Sequence, residues 1–383
     1  MMGHGKFFFV AGFVCLTALL SERCLGAGVA GRPFRLEVLT LNPEIDHIKP
    51  LAMADTAGWA AVSDTLIGSF YEQKKDETWI GGFNLATGRV IWWIKGSGTM
   101  MAPPTPVGSW VILGFRDGKV VKAETATGKK VWEANLDSFA NKRFLLSGAT
   151  LISMTAAQVL YALDFQTGKP LWLYDGGFPD TMPINSGAAP IVYNDQVIIG
   201  VSSGEIHAVN LKTGKLTWKF NPSFVEARFH DVVGELVVLN QNIMLLTRYD
   251  GVVAAVDLSG ADRTVIWQER LATITTSHFS NGILYVGGLN GGEVTAFEGK
   301  SGKKLWRVEL GDTVSVIAEA EGSLYVAGGR GRVTALDAFS GAQLWHDDLG
   351  GSIMSNPLFI RNGVYFATSI KNLYGYSLSR GPQ

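Results

Sequence analysis

The sequence predicts an all-β protein, an eight-bladed β-propeller of four-stranded antiparallel blades. Three observations lead there. A phrase of turn glycine followed by tryptophan recurs at a period near forty residues. Each period carries apolar β-forming runs broken by Gly and Asn turns, with no competing 3.6-residue helical pattern. The chain also ends one strand short, while an unmatched strand stands near its beginning.

The repeat is read from NLATGRVIW (84–92), ETATGKKVW (124–132), DFQTGKPLW (164–172), NLKTGKLTW (210–218), EGKSGKKLW (298–306) and DAFSGAQLW (337–345). A seventh copy, DLSGADRTVIW (257–267), carries an insertion before Trp267. In each copy an acidic or amide side chain accepts hydrogen bonds from the turn. The glycine takes a left-handed conformation that closes a short hairpin with a bulge. The repeat positions are therefore Gly88 and Trp92, Gly128 and Trp132, Gly168 and Trp172, Gly214 and Trp218, Gly260 and Trp267, Gly302 and Trp306, and Gly341 and Trp345, with Gly381 last. Upstream runs such as GILYVGGLNGGEVTAF (282–297) supply the other strands. A period of this length means a solenoid or a propeller. The last unit ends after LYGYSL with three strands, and FRLEVLTL (34–41) has no hairpin partner. A ring lets this N-terminal strand complete the eighth blade, and a solenoid does not. One tryptophan per blade is expected to pack between neighbouring blades, in preference to forming a stacking platform.

The 383 residues include 33 Lys and Arg against 34 Asp and Glu, a balance that draws the chain neither to nucleic acid nor to an anionic membrane. Lys6 and the apolar run 7–20 precede the small residues 26–31, which reads as a secretory signal over 1–30 with cleavage after Ala30. A single propeller domain then occupies 31–383. The two cysteines, Cys15 and Cys24, both fall in the signal region, so the mature chain has no disulfide, thiol chemistry or Cys-ligated metal. Cys24 is the candidate for lipidation, behind a Ser21-Glu22-Arg23 stretch that departs from a lipoprotein signal. A lipid anchor there would be the chain's one membrane attachment.

No catalytic constellation stands out. The six His are scattered without ligand spacing, and G-x-S-x-G, P-loop and His-Glu-x-x-His motifs are absent. The acidic pairs Asp76–Glu77 and Asp347–Asp348, like Asp175 and Asp180, fall in expected turns, and GGLNGGE (287–293) lies within a blade hairpin. The expectation is a non-enzyme with no cofactor and no metal. Two periods are longer than the rest, with the extra length in 174–190 and 221–235. Both connect one blade to the next, on one face and in neighbouring blades. They carry Met182, Ile184, Asn185, Phe224, Arg228 and Asp231, the mixture of apolar and charged side chains that a partner-binding patch uses.

These turn-and-tryptophan phrases resemble the pyrroloquinoline quinone (PQQ)-type propeller repeat over about 34–381. An eight-blade ring behind a secretion signal is similar to the BamB family, components of the machinery that inserts β-barrels into the bacterial outer membrane. The resemblance implies a periplasmic, non-catalytic scaffold at the inner face of the outer membrane. It implies docking on the periplasmic domains of a BamA-like barrel-inserting partner, with unfolded outer-membrane proteins as further ligands. It also implies that Met182 and Ile184 match the family's apolar contact pair and Asp231 one of its two acids. Asn185 stands at the family's arginine place and Val233 at its second acid. The alternatives are a PQQ-type quinoprotein or other small-molecule-binding propeller, whose dehydrogenase members carry a vicinal cysteine pair and a calcium site, and a scaffold of another envelope complex.

Overall fold

The computed structural model describes residues 35–39, 52–53, 58–72, 77–140, 142–177, 188–222, 229–360, 362–369 and 373–378. They form eight antiparallel sheets. The signal region 1–30, Cys24 and Gly381 lie outside the described residues.

Seven sheets follow the chain from an inner to an outer strand. The third, for example, runs Leu145–Ser147, Thr150–Met154, Val159–Asp164 and Pro170–Asp175. The first departs slightly from the expected four strands. Its inner edge is split, with both Ala52–Met53 and Ala60–Val62 pairing with Thr65–Glu72. The eighth sheet is completed by the N-terminal strand Arg35–Leu39, which pairs antiparallel with Leu373–Ser377, Leu39 opposite Leu373. The predicted closure of the last blade by a strand near 34–41 is therefore present.

The core is not one mass but eight clusters, one per junction. Trp59, Leu66, Phe70 and Phe83 of the first blade pack on Leu358, Ile360 and Leu373 of the eighth, so the circle is closed by side chains as well as by the pairing of the termini. Each middle strand is buried on both faces, as Val252–Asp257 is, because it has a blade on either side.

The repeat turn explains its own sequence. Asn84 Oδ1 accepts from the amides of Ala86 and Thr87 at 3.1 and 2.9 Å, and the Gly88 amide returns to the Asn84 carbonyl at 2.8 Å. Asp164, Asn210 and Asp337 repeat this. The Thr167 hydroxyl and amide hold the Asp164 carboxyl below the usual range. Gly88, Gly128, Gly168, Gly214, Gly302 and Gly341 all have φ between 66 and 73°, and a register shift marks the bulge in each hairpin. Gly260 departs from the expectation: it is not left-handed, because the insertion in its copy carries the turn along another path.

The repeat tryptophans pack between blades, as expected. Trp92 Nε1 donates to the Thr125 carbonyl of the second blade at 2.8 Å, and a Cβ on Gly128 would sit 2.7 Å from the indole. Trp132 with Phe165 and Gly168, Trp172 with Leu211 and Gly214, Trp267 with Gly299 and Gly302, and Trp306 with Ala338 and Gly341 repeat the arrangement. Trp345 packs at a tilt against Tyr376 of the eighth blade, centroids 4.7 Å apart. The turn glycine thus answers two demands, its own φ and the indole of the preceding blade.

Candidate functional site

Antiparallel alternation sends the second-to-third-strand hairpin of every blade to the same face as the connection into the next blade. That face carries both long connections. The first leaves Pro170–Asp175 and reaches Ile191–Tyr193; the second leaves Leu216–Phe220 and reaches Val232–Leu239. Met182, Ile184 and Asn185 of the first, and Phe224 and Arg228 of the second, lie outside the described residues. Asp231 is described. It is 1% exposed, its carbonyl accepts from the Tyr249 amide at 2.9 Å, and its side chain is inside the fold. A partner would meet that carboxylate only if neighbouring chain moved away.

The stems of both connections are held by buried polar groups. Gln158, in the third blade's hairpin, adopts φ 64° and is 1% exposed. Its side chain spans to the fourth blade, accepting from the Ser202 amide at 2.8 Å and donating to the Ser202 hydroxyl at 2.6 Å, while its carbonyl accepts from Gly176 at 2.9 Å. The start of the first connection is thereby tied to both blades that it joins. Beside it, the Tyr174 hydroxyl bonds His207 Nδ1 at 3.0 Å, and His207 Nε2 faces Glu205 at 3.2 Å. Burial, with Glu205 and Asp175 nearby, pushes the Tyr174 hydroxyl pKa up.

Arg248, in the fifth blade, plays the corresponding part at the second connection. Its guanidinium is 1% exposed and forms a fork on Asp250, Nε to Oδ1 at 3.1 Å and Nη2 to Oδ2 at 2.7 Å. Nη1 donates to Asn221 Oδ1 at 3.2 Å, and Nη2 lies 3.0 Å from His230 Nδ1. Gly204 of the fourth blade leaves room for the group; a Cβ there would sit 2.9 Å from the guanidinium carbon. None of Gln158, Ser202, Arg248 or Asp250 stood out in the sequence. The available signal was the Arg-x-Asp-Gly hairpin at 248–251 beside a lengthened connection.

One outer edge also differs from the others. The residue after each repeat tryptophan is exposed and polar at Glu133, Lys219, Gln268, Arg307 and His346, and half-buried at Trp93. In the third blade it is Leu173, 58% exposed, beside Leu171 at 54%. The Gly176–Gln158 bond and the strand register turn the amides of Trp172 and Tyr174 inward. The backbone groups of Leu171, Leu173 and Asp175 therefore point out of the sheet, where no described strand pairs with them. Other outer strands also expose an apolar residue before the tryptophan, as at Ile91, Val131, Ile266 and Leu305, but follow the tryptophan with a blunting polar or charged side chain or with the half-buried Trp93; this one follows it with a second leucine. Among the described residues, no three His, Cys, Asp or Glu gather as a metal site.

Comparison with known proteins agrees with the architecture. A family model described as outer membrane protein assembly factor BamB matches residues 76–298 and 290–383. The BamB of Bordetella pertussis is 24% identical over 249 residues, 63% of each chain. The BamB of Yersinia pestis is 26% identical over 250 residues, 58% of this chain and 60% of its own. The match thus spans less than two thirds of either relative. The crystal structure of BamB from Moraxella catarrhalis superposes with a TM-score of 0.74, covering 85% of this chain and 98% of that one at 20% identity, a likeness of fold. With its eight blades, its turn-and-tryptophan repeat and this family match, the chain belongs to the BamB family of PQQ-like β-propellers.

Proposed function

We propose that the chain is a non-catalytic scaffold of outer-membrane β-barrel protein assembly, working in the periplasm at the inner face of the outer membrane. It docks on the periplasmic domains of a BamA-like barrel-inserting component through the face that carries the two long connections. Met182, Ile184 and Asn185 from the first, with Phe224 and Arg228 from the second, make up its contact patch; Asp231, buried in the fold, is left out of it. The observation that carries this reading is the adjacency of those connections. Family members act by name as assembly factors, and here the two lengthened blade-to-blade connections emerge side by side, on stems held by Gln158 and Arg248. A ring closed at both termini gives such a patch a rigid base. The open edge of Pro170–Asp175 supports a second task on the same scaffold, the holding of an unfolded barrel strand by strand addition.

The test is capture of the barrel-inserting protein from detergent-solubilised envelopes by the full chain and by the Met182→Asp, Ile184→Asp double variant. Capture by the first and not the second supports docking. Equal capture by both removes the patch from the reading. No capture, together with a quinone absorbance in the purified chain, would favour a quinoprotein instead. Client holding is tested with Leu173→Glu, which is expected to lower binding of an unfolded barrel protein several-fold without changing the melting temperature; unchanged binding would sink it.

A further inference from the structure

We infer that Arg248 is the positioning residue of the second long connection: a single buried guanidinium ties the point where the connection leaves the fourth blade to the point where it enters the fifth. The inference rests on the docking reading for its functional consequence, and on geometry alone for the tie itself. Asn221 is the first residue after the strand Leu216–Phe220, and His230 stands two residues before Val232–Leu239. Both side chains meet the same guanidinium, at 3.2 and 3.0 Å. The group cannot follow them if they move, since the fork on Asp250 fixes its plane and Gly204 covers it. A planar cation with several donors is suited to this, because it can hold a carboxylate fork and still bind two further acceptors. Phe229 adds an apolar brace, its ring edge-on to Tyr249 with centroids 6.2 Å apart.

A buried cation elsewhere provides the contrast. Lys122 is also 1% exposed and also bridges two blades, through the Phe165 carbonyl at 2.9 Å, but it touches neither connection. If Arg248 served stability alone, its loss and the loss of Lys122 would act alike.

The experiment measures amide exchange by mass spectrometry across the full chain, and affinity for the purified periplasmic domains of the barrel-inserting protein. It compares Asn221→Ala, His230→Ala and Arg248→Lys with Lys122→Met and with the docking variant Met182→Asp. Asn221→Ala is the mild probe, because it removes one end of the tie and leaves the Arg248–Asp250 pair intact. A hydrogen bond to a charged group is typically worth ~1.5–3 kcal/mol, so exchange through 221–231 should rise roughly tenfold or more. Affinity should fall in step, and Lys122→Met should change neither. Unchanged exchange in 221–231 for all three variants overturns the tie. Raised exchange with unchanged affinity, while Met182→Asp does lose affinity, overturns the positioning role and leaves docking standing. Failure of the unaltered chain to bind overturns docking and positioning together, while exchange still decides the tie.

Discussion

Trp92 and Trp218 hold the same place in the repeat and keep different company. Trp92 is 6% exposed, donates to a carbonyl of the next blade's turn and lies against Gly128, whose φ is 69°. Trp218 is half-buried and donates within its own blade, to Gln196 Oε1 at 3.0 Å. Its neighbour turn holds Gly260, which is not left-handed and whose added Cβ would meet only the Asp262 backbone, at 3.2 Å. Arg263, from the insertion, covers the indole instead, its guanidinium carbon 4.6 Å from the ring centre. The regular junction is thus closed by complementary shape, and the irregular one by an arginine laid over the indole and bonded to the carbonyls of its own turn. This fourth-to-fifth junction is also the one clamped by Arg248 on the opposite face, so it departs from the repeat at both ends.

Trp92→Ala and Trp218→Ala put this contrast at greatest risk. Removing a buried indole costs about 3–5 kcal/mol, so Trp92→Ala should lower the urea midpoint by the larger amount. Equal losses would mean that the two junctions are energetically alike. Next come the glycines. Gly128→Ala places a Cβ against Trp92 in a left-handed backbone and should cost ~2–4 kcal/mol, whereas Gly260→Ala should stay within ~0.5 kcal/mol. A large loss at Gly260 would refute this account of the turn.

Tyrosines sharpen the picture of the regular junctions. Tyr325 lies beside Trp345, centroids 6.2 Å apart, and burial pushes its hydroxyl up from 10.0 to about 12. Its folded pKa is raised, so the unfolded chain ionises first as pH rises. Its contribution is complete below pH 10.0 and falls away as pH climbs towards about 12. Tyr325→Phe should therefore flatten part of the alkaline loss of stability seen in melting temperature against pH; an unchanged slope would rule the residue out. The smallest effect is expected for Arg263→Ala, ~0.5–1 kcal/mol from a partly exposed cation–π contact. A null result there would mean that Arg263 covers Trp218 without holding it.

Much of the ring was legible because its signals are local. The side chain of Asn84, the φ of Gly88 and the place of Trp92 all lie within nine residues, so one phrase specifies one hairpin, and seven phrases together with an unmatched last unit specify eight blades. The closing strand was legible from a shortage: Leu373–Ser377 needed a partner and Arg35–Leu39 lacked one. The docking patch was legible only as extra length. Asp231 reads as a surface acid in sequence and is buried in the fold, because its place depends on the Tyr249 backbone that comes to lie beside it. Leu173 was readable in principle, by lining up the residues that follow each tryptophan.

By itself, the sequence determined the blade count, the hairpin chemistry and the route to closure, since each rests on contacts between near neighbours in the chain or on a count of strands. The tertiary structure alone decided what meets across a junction. Trp92 finds Gly128, Gln158 finds Ser202, and Arg248 gathers Asn221, His230 and Asp250. Such meetings follow from how closely blades pack around a closed circle, and no local phrase encodes that distance.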